Sequence, residues 1–209
     1  MVEKLIIVPI EQQPKDVVSV LKLRAPEVNF PLSNDDKEII EQMKLMLFEL
    51  QGVGLAAPQV GISKRIILVY IPETAALLRE DIRIYPMHVL INPEYQGLNK
   101  QNKKSDFEGC YSVKSVYGKV LRYDKINLTY QDEDGNRIEK MVEGFYARVL
   151  QHEIDHVNGL LITDRLTPDC LQGTFEEMLA IRRSELSKEN QKVFDDLVKK
   201  KGMINDDQD

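Results

Sequence analysis

The sequence predicts an α+β fold in which an antiparallel or mixed sheet packs around a central helix carrying an H-E-x-x-H segment, with a long helix at the C-terminus. Three observations favour this class. Apolar residues recur at helical spacing near the start of the chain, alternate with polar residues in the middle, and return to helical spacing in two later stretches. Strands grouped in the middle of a chain, with helices before and after them, are typical of α+β domains.

The first predicted helix runs from about Lys37 to Glu49. Ser33-Asn34-Asp35-Asp36 supplies N-cap residues ahead of it, and Gly52 and Gly54 break the pattern after it. Its apolar residues recur as one buried helix face requires. They are Ile39, Ile40, Met43, Met46 and Leu47.

Five runs in the middle of the chain are predicted to be strands. The first two are short β-branched runs that end at a proline, and the other three alternate apolar and polar residues. Turn residues separate the last two runs, which predicts a hairpin. In chain order the predicted strands are Arg65 to Ile71, Val89 to Asn92, Tyr117 to Tyr123, Lys125 to Gln131 and Arg137 to Val142.

Two helices are predicted after the strands, from Gly144 to Val157 and from Thr174 to Lys200, the second long and amphipathic. We therefore expect a single domain over residues 1–170, and a C-terminal helix with a short acidic tail over residues 171–209. The apolar side of the long helix comprises Phe175, Met178, Leu179, Leu186, Val193, Phe194 and Leu197, and the tail contains Asp206, Asp207 and Asp209.

Composition limits the function. The 209 residues are 43% hydrophobic and 30% charged, which excludes a largely disordered chain, a collagen-like repeat and a membrane-embedded protein. The formal net charge of −6 disfavours a globally basic nucleic-acid binder, so no specific nucleic acid is expected as a partner. The sequence contains no recognisable targeting segment and no apolar run long enough to span a membrane. We expect a cytoplasmic monomer whose thiols are reduced.

The sharpest motif is His152-Glu153-Ile154-Asp155-His156, inside the predicted central helix. Histidines at i and i+4 share one helix face, so both imidazoles can reach one metal ion. Glu153 is next to them and can accept a proton from a water molecule at that ion. The alternative is a chance pair of surface histidines, which is rare in a chain with 3 histidines.

A third ligand has to come from elsewhere in the chain, because catalytic zinc-like sites use three protein ligands. Cys110 is the better candidate, since Gly109 allows close backbone approach and a thiolate binds divalent transition metals strongly. The alternative for Cys110 is a small buried hydrophobic residue. We expect His88 to be an ordinary satisfied or exposed histidine and Cys170 to be structural.

Small residues fill the stretch Gly52-Val53-Gly54-Leu55-Ala56-Ala57-Pro58-Gln59. Such a segment lets an extended ligand pair with its backbone, and the Gln59 amide can donate a hydrogen bond to a developing oxyanion. A glycine-rich turn with small packing residues explains the same pattern. It is not a phosphate loop, because no Gly-Lys-Ser/Thr follows.

Three segments, in this order along the chain, resemble the peptide deformylases. That family has a G-x-G-L-A-A-x-Q, an E-G-C-x-S and an H-E-x-D-H segment, which here are Gly52 to Gln59, Glu108 to Ser112 and His152 to His156. The sequence departs from the family at Tyr111, where leucine is frequent, and at Lys114-Ser115, where the family has a Pro-Gly pair. Both departures affect the expected shape of the cleft rather than the metal ligands.

The resemblance implies that the formyl group is hydrolysed from the N-terminal formylmethionine of newly made proteins, so nascent formyl-Met chains are the expected partners. It also implies that Cys110, His152 and His156 hold the metal. Ligand type alone would favour Zn²⁺. The family implies Fe²⁺, with Ni²⁺, Co²⁺ or Zn²⁺ as substitutes.

The resemblance further implies the catalytic roles. Glu153 would take up the water proton and deliver it to the leaving amine, first as base and then as acid. The Gln59 amide and the backbone N–H of Tyr111 would stabilise the negative formyl oxygen.

Helix geometry adds candidates for substrate binding. Phe145 and Val149 precede the two histidines at intervals of four, three and four, so they share the metal-facing stripe. An apolar wall there suits a methionine side chain, although both could be plain core residues. The extended peptide would then run along Val53, Gly54, Leu55 and Gly109.

Two other functions fit part of the pattern. A metalloprotease of the H-E-x-x-H type has a third His or Glu ligand downstream. Only Glu176 or Glu177 could serve here, and Cys110 would then be unexplained. A metal-binding or ribosome-associated module without activity would have no use for Glu153 or Gln59.

The C-terminal helix has a basic bias, which together with the resemblance suggests a transient ribosome contact. The alternative is a solvated helix whose apolar stripe packs on its own domain. The basic residues are Arg182, Arg183, Lys188, Lys192, Lys199, Lys200 and Lys201.

Overall fold

The computed structural model describes residues 5–16, 18–76, 82–99 and 102–200. Within them the helices are α1 (Asn34–Glu49), α2 (Glu73–Ala76), α3 (Gly144–Val157), α4 (Phe175–Ser184) and α5 (Lys188–Lys200). The strands are β1 (Gly54–Ala56), β2 (Ile66–Ile71), β3 (Tyr85–Gly97), β4 (Lys103–Cys110), β5 (Val113–Tyr123), β6 (Lys125–Gln131), β7 (Arg137–Glu143) and β8 (Gln172–Gly173). The antiparallel sheets and the helices around them confirm the predicted α+β class.

Helix α1 begins at the capping residues that the sequence predicted. Ser33 Oγ accepts a hydrogen bond from the Asp36 N–H at 3.1 Å, and the Asp36 carboxylate accepts one from the Ser33 N–H at 3.1 Å. This reciprocal pair satisfies backbone donors that a helix N-terminus otherwise leaves free. The helix therefore begins at Asn34 rather than at the predicted Lys37.

A five-stranded antiparallel sheet has the order β1-β2-β3-β6-β7. Strand β2 is buried on both faces, because Ile67 and Val69 pack with residues of α3 whereas Ile66 and Leu68 pack with residues of α1. A strand covered on both faces has a continuous apolar sequence, as β2 has. The predicted hairpin of β6 and β7 is confirmed along its full length.

Strand β3 is longer than the sequence predicted. The prediction ended it at Asn92 because Pro93 cannot donate to a ladder, yet the strand continues to Gly97. The pairing register with β6 shifts between Ile91 and Glu94, and Asn92 has a φ of 51°. The proline therefore lies in a bulge, where a missing backbone donor interrupts no ladder bond.

A second antiparallel sheet has the order β4-β5-β8. Strand β4 was not predicted, because Lys103, Lys104 and Ser105 are polar and exposed, so no apolar alternation marks its start. The strand ends at Cys110 and thereby positions the predicted thiolate ligand.

The C-terminal segment is two helices, not the single helix predicted from Thr174 to Lys200. Helix α4 ends at Ser184 and α5 begins at Lys188. Lys201 and the predicted acidic tail lie outside the described residues. None of the helices in the described ranges combines the length and the apolar character needed to cross a bilayer.

Two serines explain the break between α4 and α5. Ser184 Oγ donates to the Ile181 carbonyl at 2.7 Å, and Ser187 Oγ accepts from the Asn190 N–H at 3.2 Å. Serine side chains that bond to the backbone in this way compete with the helix ladder and favour helix ends. The amphipathic period continues across the break, which is why the sequence alone suggested one helix.

Candidate metal centre and active site

Three potential metal ligands meet where the end of β4 faces α3. Cys110 is the last residue of β4, and His152 and His156 lie one turn apart on α3. Cys110 Sγ is 3.3 Å from His156 Nε2, which is 3.3 Å from His152 Nε2. All three ligand atoms lie within 4.8 Å of one another. The structure thus brings together the three residues that the sequence suggested.

The spacing of these atoms fits one tetrahedral metal ion. Two nitrogen ligands of such an ion are about 3.3 Å apart when each is about 2.05 Å from it. The two Nε2 atoms have that separation. One thiolate and two imidazoles are also donors that divalent transition metals prefer. The cluster can therefore hold a metal ion.

The remaining histidine and cysteine do not belong to this cluster, which is the one such group among the described residues. His88 Nε2 is 2.8 Å from the Tyr146 hydroxyl, and its Nδ1 is 2.7 Å from the Pro86 carbonyl oxygen. Cys170 is half-buried, with its sulfur 3.4 Å from Thr167 Oγ1. His88 is thus the satisfied polar residue that the sequence predicted.

Glu108 orients His152. Its Oε2 is 3.0 Å from His152 Nδ1, and it also accepts hydrogen bonds from Arg122 at 2.9 Å and from Arg148 at 2.7 Å. Burial opposes the charged form of Glu108, but the hydrogen bond from His152 and the charge of Arg122 outweigh it and hold the pKa of Glu108 well below its usual range. A carboxylate on the outer nitrogen fixes the tautomer, so Nε2 faces the other ligands.

Arg122 connects Glu108 to Asp155, which lies within the H-E-x-x-H segment. Its Nη1 donates to Asp155 Oδ2, and Arg165 Nε donates to the same oxygen at 2.9 Å. The side chains of Arg122 and Asp155 are each 3% exposed, so each charge depends on its partners. Sequence reasoning missed this network. One feature of the sequence could have indicated it. Arg122 is two residues after Val120 on β5, so both side chains point to the same, buried face of the strand.

The surroundings of His152 favour its protonated form, and those of His156 its neutral form. Burial lowers the pKa of His152, but the nearby Cys110, Glu108 and Glu153 outweigh it and raise that pKa well above its ordinary value. Burial and the charge of His152 together hold the pKa of His156 well below its ordinary value. A bound metal ion replaces such a proton, because the ligands coordinate in their deprotonated forms.

Glu153 is 4% exposed, and its Oε2 makes no hydrogen bond to any described residue. Burial is the main cause that raises the pKa of Glu153 to about 7, against the lowering effect of His152. A pKa close to the working pH suits a group that accepts a proton and then returns it.

The Gln59 side chain is held in one orientation. Its Oε1 accepts a hydrogen bond from the Ala56 N–H at 2.8 Å, and its Nε2 donates towards Cys110 Sγ at 3.6 Å. Because the acceptor end is bound to the backbone, the donor end faces the ligand cluster. Gln59 is 1% exposed, so solvent does not compete for that donor.

A cavity of about 610 Å³ adjoins the cluster and is lined by Cys110, His152 and Glu153. Leu55 is an exception among the predicted substrate-binding residues, because its side chain is fully buried in the core beside α1 and does not line the cavity. Leu55 lies on the edge strand β1, where it pairs with Leu68 of β2. The predicted residues that do line the cavity are Val53, Gly54, Gly109, Phe145 and Val149.

Tyr111 also lines the cavity, and its ring crosses to the segment before β1. Its hydroxyl donates to the Leu50 carbonyl at 3.3 Å. Burial, with the charge of Glu153, raises the pKa of Tyr111 to about 12. A Cβ on Gly52 would lie 2.3 Å from the Tyr111 hydroxyl oxygen, so this close approach requires glycine.

The fold, the Cys-His-His cluster and the adjoining cleft define a metal-dependent hydrolase. The sequence model of the family described as Polypeptide deformylase matches residues 7–172. The chain belongs to the peptide deformylase family, and it is an enzyme of the kind that removes the N-formyl group from an N-terminal methionine.

Individual proteins and a solved structure similar to this chain are also peptide deformylases. Peptide deformylase 2 of Rickettsia conorii is 39% identical over 174 residues, which are 81% of this chain and 85% of the relative. Peptide deformylase of Wolinella succinogenes is 40% identical over 149 residues, or 71% of this chain and 83% of the relative. The Met-Ala-Ser-bound crystal structure of class I type b peptide deformylase from Acinetobacter baumannii has a TM-score of 0.67 at 32% identity, covering 78% of this chain and 98% of that one.

The metalloprotease alternative lacks its third ligand. Glu176 and Glu177 lie on α4, where the Glu177 carboxylate accepts from the Thr174 N–H at 2.8 Å and caps the helix. Neither residue belongs to the ligand cluster formed by the described part of the chain. The third potential ligand in that cluster is Cys110.

Proposed function

We propose that this enzyme deformylates newly made proteins with Cys110, His152 and His156 as the ligands of one metal ion and Glu153 as its acid–base group. The observation that carries the proposal is that Cys110, His152 and Glu153 line one cavity. All of these residues fall within residues 1–170, which we propose as the catalytic domain. Glu108 acts through His152 as a positioning residue.

A divalent ion held by the three ligands would polarise the formyl carbonyl and lower the pKa of a water molecule towards neutrality. The chain itself moves the protons. Glu153 accepts a proton from the attacking water and later donates it to the leaving amine of methionine. Its Oε2, which bonds to no described residue, is the atom available for this transfer.

The negative formyl oxygen needs donors that are already aligned. The Gln59 amide supplies one, because Ala56 fixes its orientation from the other end. We assign the second donor to the backbone N–H of Tyr111. Donors fixed before the reaction stabilise a developing charge without reorganisation.

The peptide is bound on two sides in this proposal. Phe145 and Val149, which line the cavity about two turns and one turn before His152, contact the methionine side chain. The peptide backbone runs along Val53, Gly54 and Leu55 at the edge of the sheet, and Gly109 of β4 lines the same cavity.

We propose Fe²⁺ as the metal of the enzyme in the cell, with Zn²⁺, Ni²⁺ or Co²⁺ as substitutes. The family resemblance supports Fe²⁺, and the thiolate ligand fits all four ions. Elemental analysis of protein purified without oxygen tests this assignment. Loss of activity in air and its recovery with added Fe²⁺ are expected, because Fe²⁺ and the thiolate are both open to oxidation. Zinc alone in fully active protein would contradict it.

Formate release from a formyl-Met peptide, measured without oxygen, tests the function. The expected result is stoichiometric formate together with a free N-terminal methionine. Cleavage at an internal peptide bond instead would indicate a protease, and metal binding without any turnover would indicate a binding module.

We also propose that the enzyme works in the cytoplasm as a monomer and contacts the ribosome transiently through α5. Lys188, Lys192 and Lys199 are exposed and share one helix face. Arg182 and Arg183 do not contribute, since the first lines the cavity and the second pairs with Asp195 at 2.7 Å. The side chain of Lys200 and all of Lys201 lie outside what the structure describes.

The double variant Lys188→Glu/Lys192→Glu tests the ribosome contact. It should lose cosedimentation with ribosomes at low salt and keep its rate on a short formyl-Met peptide. Cosedimentation equal to that of the wild-type protein would contradict the contact.

A further inference from the structure

Helices α4 and α5 line the cavity that adjoins the ligand cluster. The family model ends at residue 172, so both helices lie beyond the matched part of the chain. Their apolar side chains nevertheless line the same cavity as Cys110 and His152. These side chains include Met178 and Leu179 of α4, and Phe194, Leu197 and Val198 of α5.

The two helices are attached to the sheet at defined points. Strand β8, just before α4, pairs with β5 through Tyr117 and Gly173. The Phe175 ring packs edge-on against Tyr117 with centroids 5.1 Å apart. Lys119 Nζ on β5 lies 2.7 Å from Glu185 at the end of α4. Helix α4 is therefore packed against the sheet through these contacts.

Helix α5 turns its apolar face towards the cavity. Phe194 is 3% exposed, Val198 is 5% exposed, and Leu197 is half-buried. The exposed lysines Lys188 and Lys192 lie on the opposite face of the helix. The apolar stripe recognised in the sequence thus lines the cavity.

The size of the cavity leaves room for more than one residue of a peptide. Its volume of about 610 Å³ is within the range of about 300–1,000 Å³ that holds a drug-sized ligand. Phe145 and Val149 line this cavity together with the apolar side chains of α4 and α5 named above, which we call the α4–α5 wall. An occupant that fills the cavity therefore contacts both the ligand cluster and this wall.

We propose that the α4–α5 wall binds an apolar side chain of the substrate, at one of the residues that follow the formyl-methionine. This inference rests on the proposed function, because it takes the occupant of the cavity to be the nascent peptide. An apolar side chain removed from water against Phe194, Leu197 and Val198 should raise kcat/KM by about tenfold or more over a serine at the same position.

The test uses the metal-loaded full chain and a set of formyl-Met tetrapeptides. The parent peptide has serine at all three following positions, and the other three have a single leucine at the second, third or fourth position. Formate release gives kcat/KM for each peptide. The wild-type enzyme should favour leucine by about tenfold at one or more positions, mainly through KM.

Two variants of α5 test whether the preference for leucine over serine arises from the α4–α5 wall. Leu197→Gln, in the cavity lining, should reduce the leucine-to-serine ratio of kcat/KM to near one. Val193→Gln is the matched control, because Val193 is also half-buried on α5 but does not line the cavity. It should keep the ratio of the wild-type enzyme.

The outcomes separate this inference from the proposed function. Equal kcat/KM for serine and leucine peptides in the wild-type enzyme would overturn the proposal that the α4–α5 wall binds a substrate side chain. A leucine preference that persists in Leu197→Gln would also overturn it. So would a preference that is lost equally in Val193→Gln. An equal loss on every peptide in Leu197→Gln would show that α5 supports the metal centre instead, and would also overturn it. No formate from the all-serine peptide would refute the proposed function itself, and this inference with it.

Discussion

Gly54 lies against the carboxylate of Glu153, so close that a Cβ at residue 54 would be 2.3 Å from Glu153 Oε1 and 2.7 Å from its Cδ. Real Cβ atoms do not approach other atoms so closely. The edge strand β1 and helix α3 therefore meet so closely that any side chain at residue 54 would displace the Glu153 carboxylate.

Replacing Gly54 with alanine should displace the Glu153 carboxylate while the metal ligands stay in place. A shift of about 1 Å in a catalytic group costs about 10²-fold in rate, so Gly54→Ala should lower kcat by roughly that factor with normal metal content. The double variant Gly54→Ala/Glu153→Gln should be no worse than Glu153→Gln alone, because both changes act on the same group. Additive losses in kcat would show that Gly54 acts elsewhere.

Glu153→Gln should nearly abolish deformylation and leave the metal content and the fold intact. Glutamine keeps the size of the side chain but cannot accept the proton of the attacking water. The loss in kcat should exceed the 10²- to 10⁴-fold that is typical of one acid–base step, because one residue serves both proton transfers. Peptide binding should survive. Turnover within about tenfold of the wild-type rate would assign the base to another group.

Gln59→Ala should keep the metal and lower kcat by about 10²- to 10³-fold, the usual effect of losing one oxyanion donor. Alanine also leaves the Ala56 N–H without its acceptor, so a second variant is needed. Gln59→Glu keeps that acceptor but has no donor towards the cluster, and its kcat should fall as well. A rise in KM with unchanged kcat in both variants would place Gln59 in ground-state binding.

Cys110→Ser should lose the metal. A serine hydroxyl at neutral pH is a poor substitute for a thiolate, so the affinity should fall by more than the 10- to 100-fold typical of losing an outer-sphere partner. Cys170→Ser is the matched control, since Cys170 lies outside the cluster, and it should retain full metal and activity. Metal titration followed by elemental analysis distinguishes the two. Stoichiometric metal in active Cys110→Ser protein would remove Cys110 from the site.

Glu108 should make the fold sensitive to acid. Its pKa in the folded protein lies below the ordinary value of 4.5, so its contribution to stability is present above that pH and is lost as the pH falls through the lower, folded pKa. With a chelator present, the unfolding free energy of the wild-type protein should fall below about pH 4.5 more steeply than that of Glu108→Gln. Glu139→Gln, at an exposed residue of β7, should follow the wild-type curve. Parallel curves for wild type and Glu108→Gln would contradict the assignment.

Local patterns predicted the elements whose geometry depends on near neighbours. The helix that carries His152 and His156 follows from the apolar period, because residues at i and i+4 share a face in any α-helix. The β6–β7 hairpin follows from alternation on both sides of a turn. The same local reasoning missed β4 and joined α4 to α5, since a polar edge strand has no apolar signature and two serine side chains interrupt the second helix without changing its amphipathic period.

The sequence by itself determined the chemistry of this protein: two histidines one helical turn apart, a neighbouring carboxylate, and small residues ahead of a glutamine. Only the tertiary structure decided how distant groups meet. Cys110 reaches His156 across 46 residues because β4 ends against α3. Arg122 pairs with Glu108 and Asp155 because its side chain lies on the buried face of β5, between those two carboxylates. Helix and strand periods depend on local backbone geometry, whereas these pairings depend on how sheets and helices pack, and no local period encodes that packing.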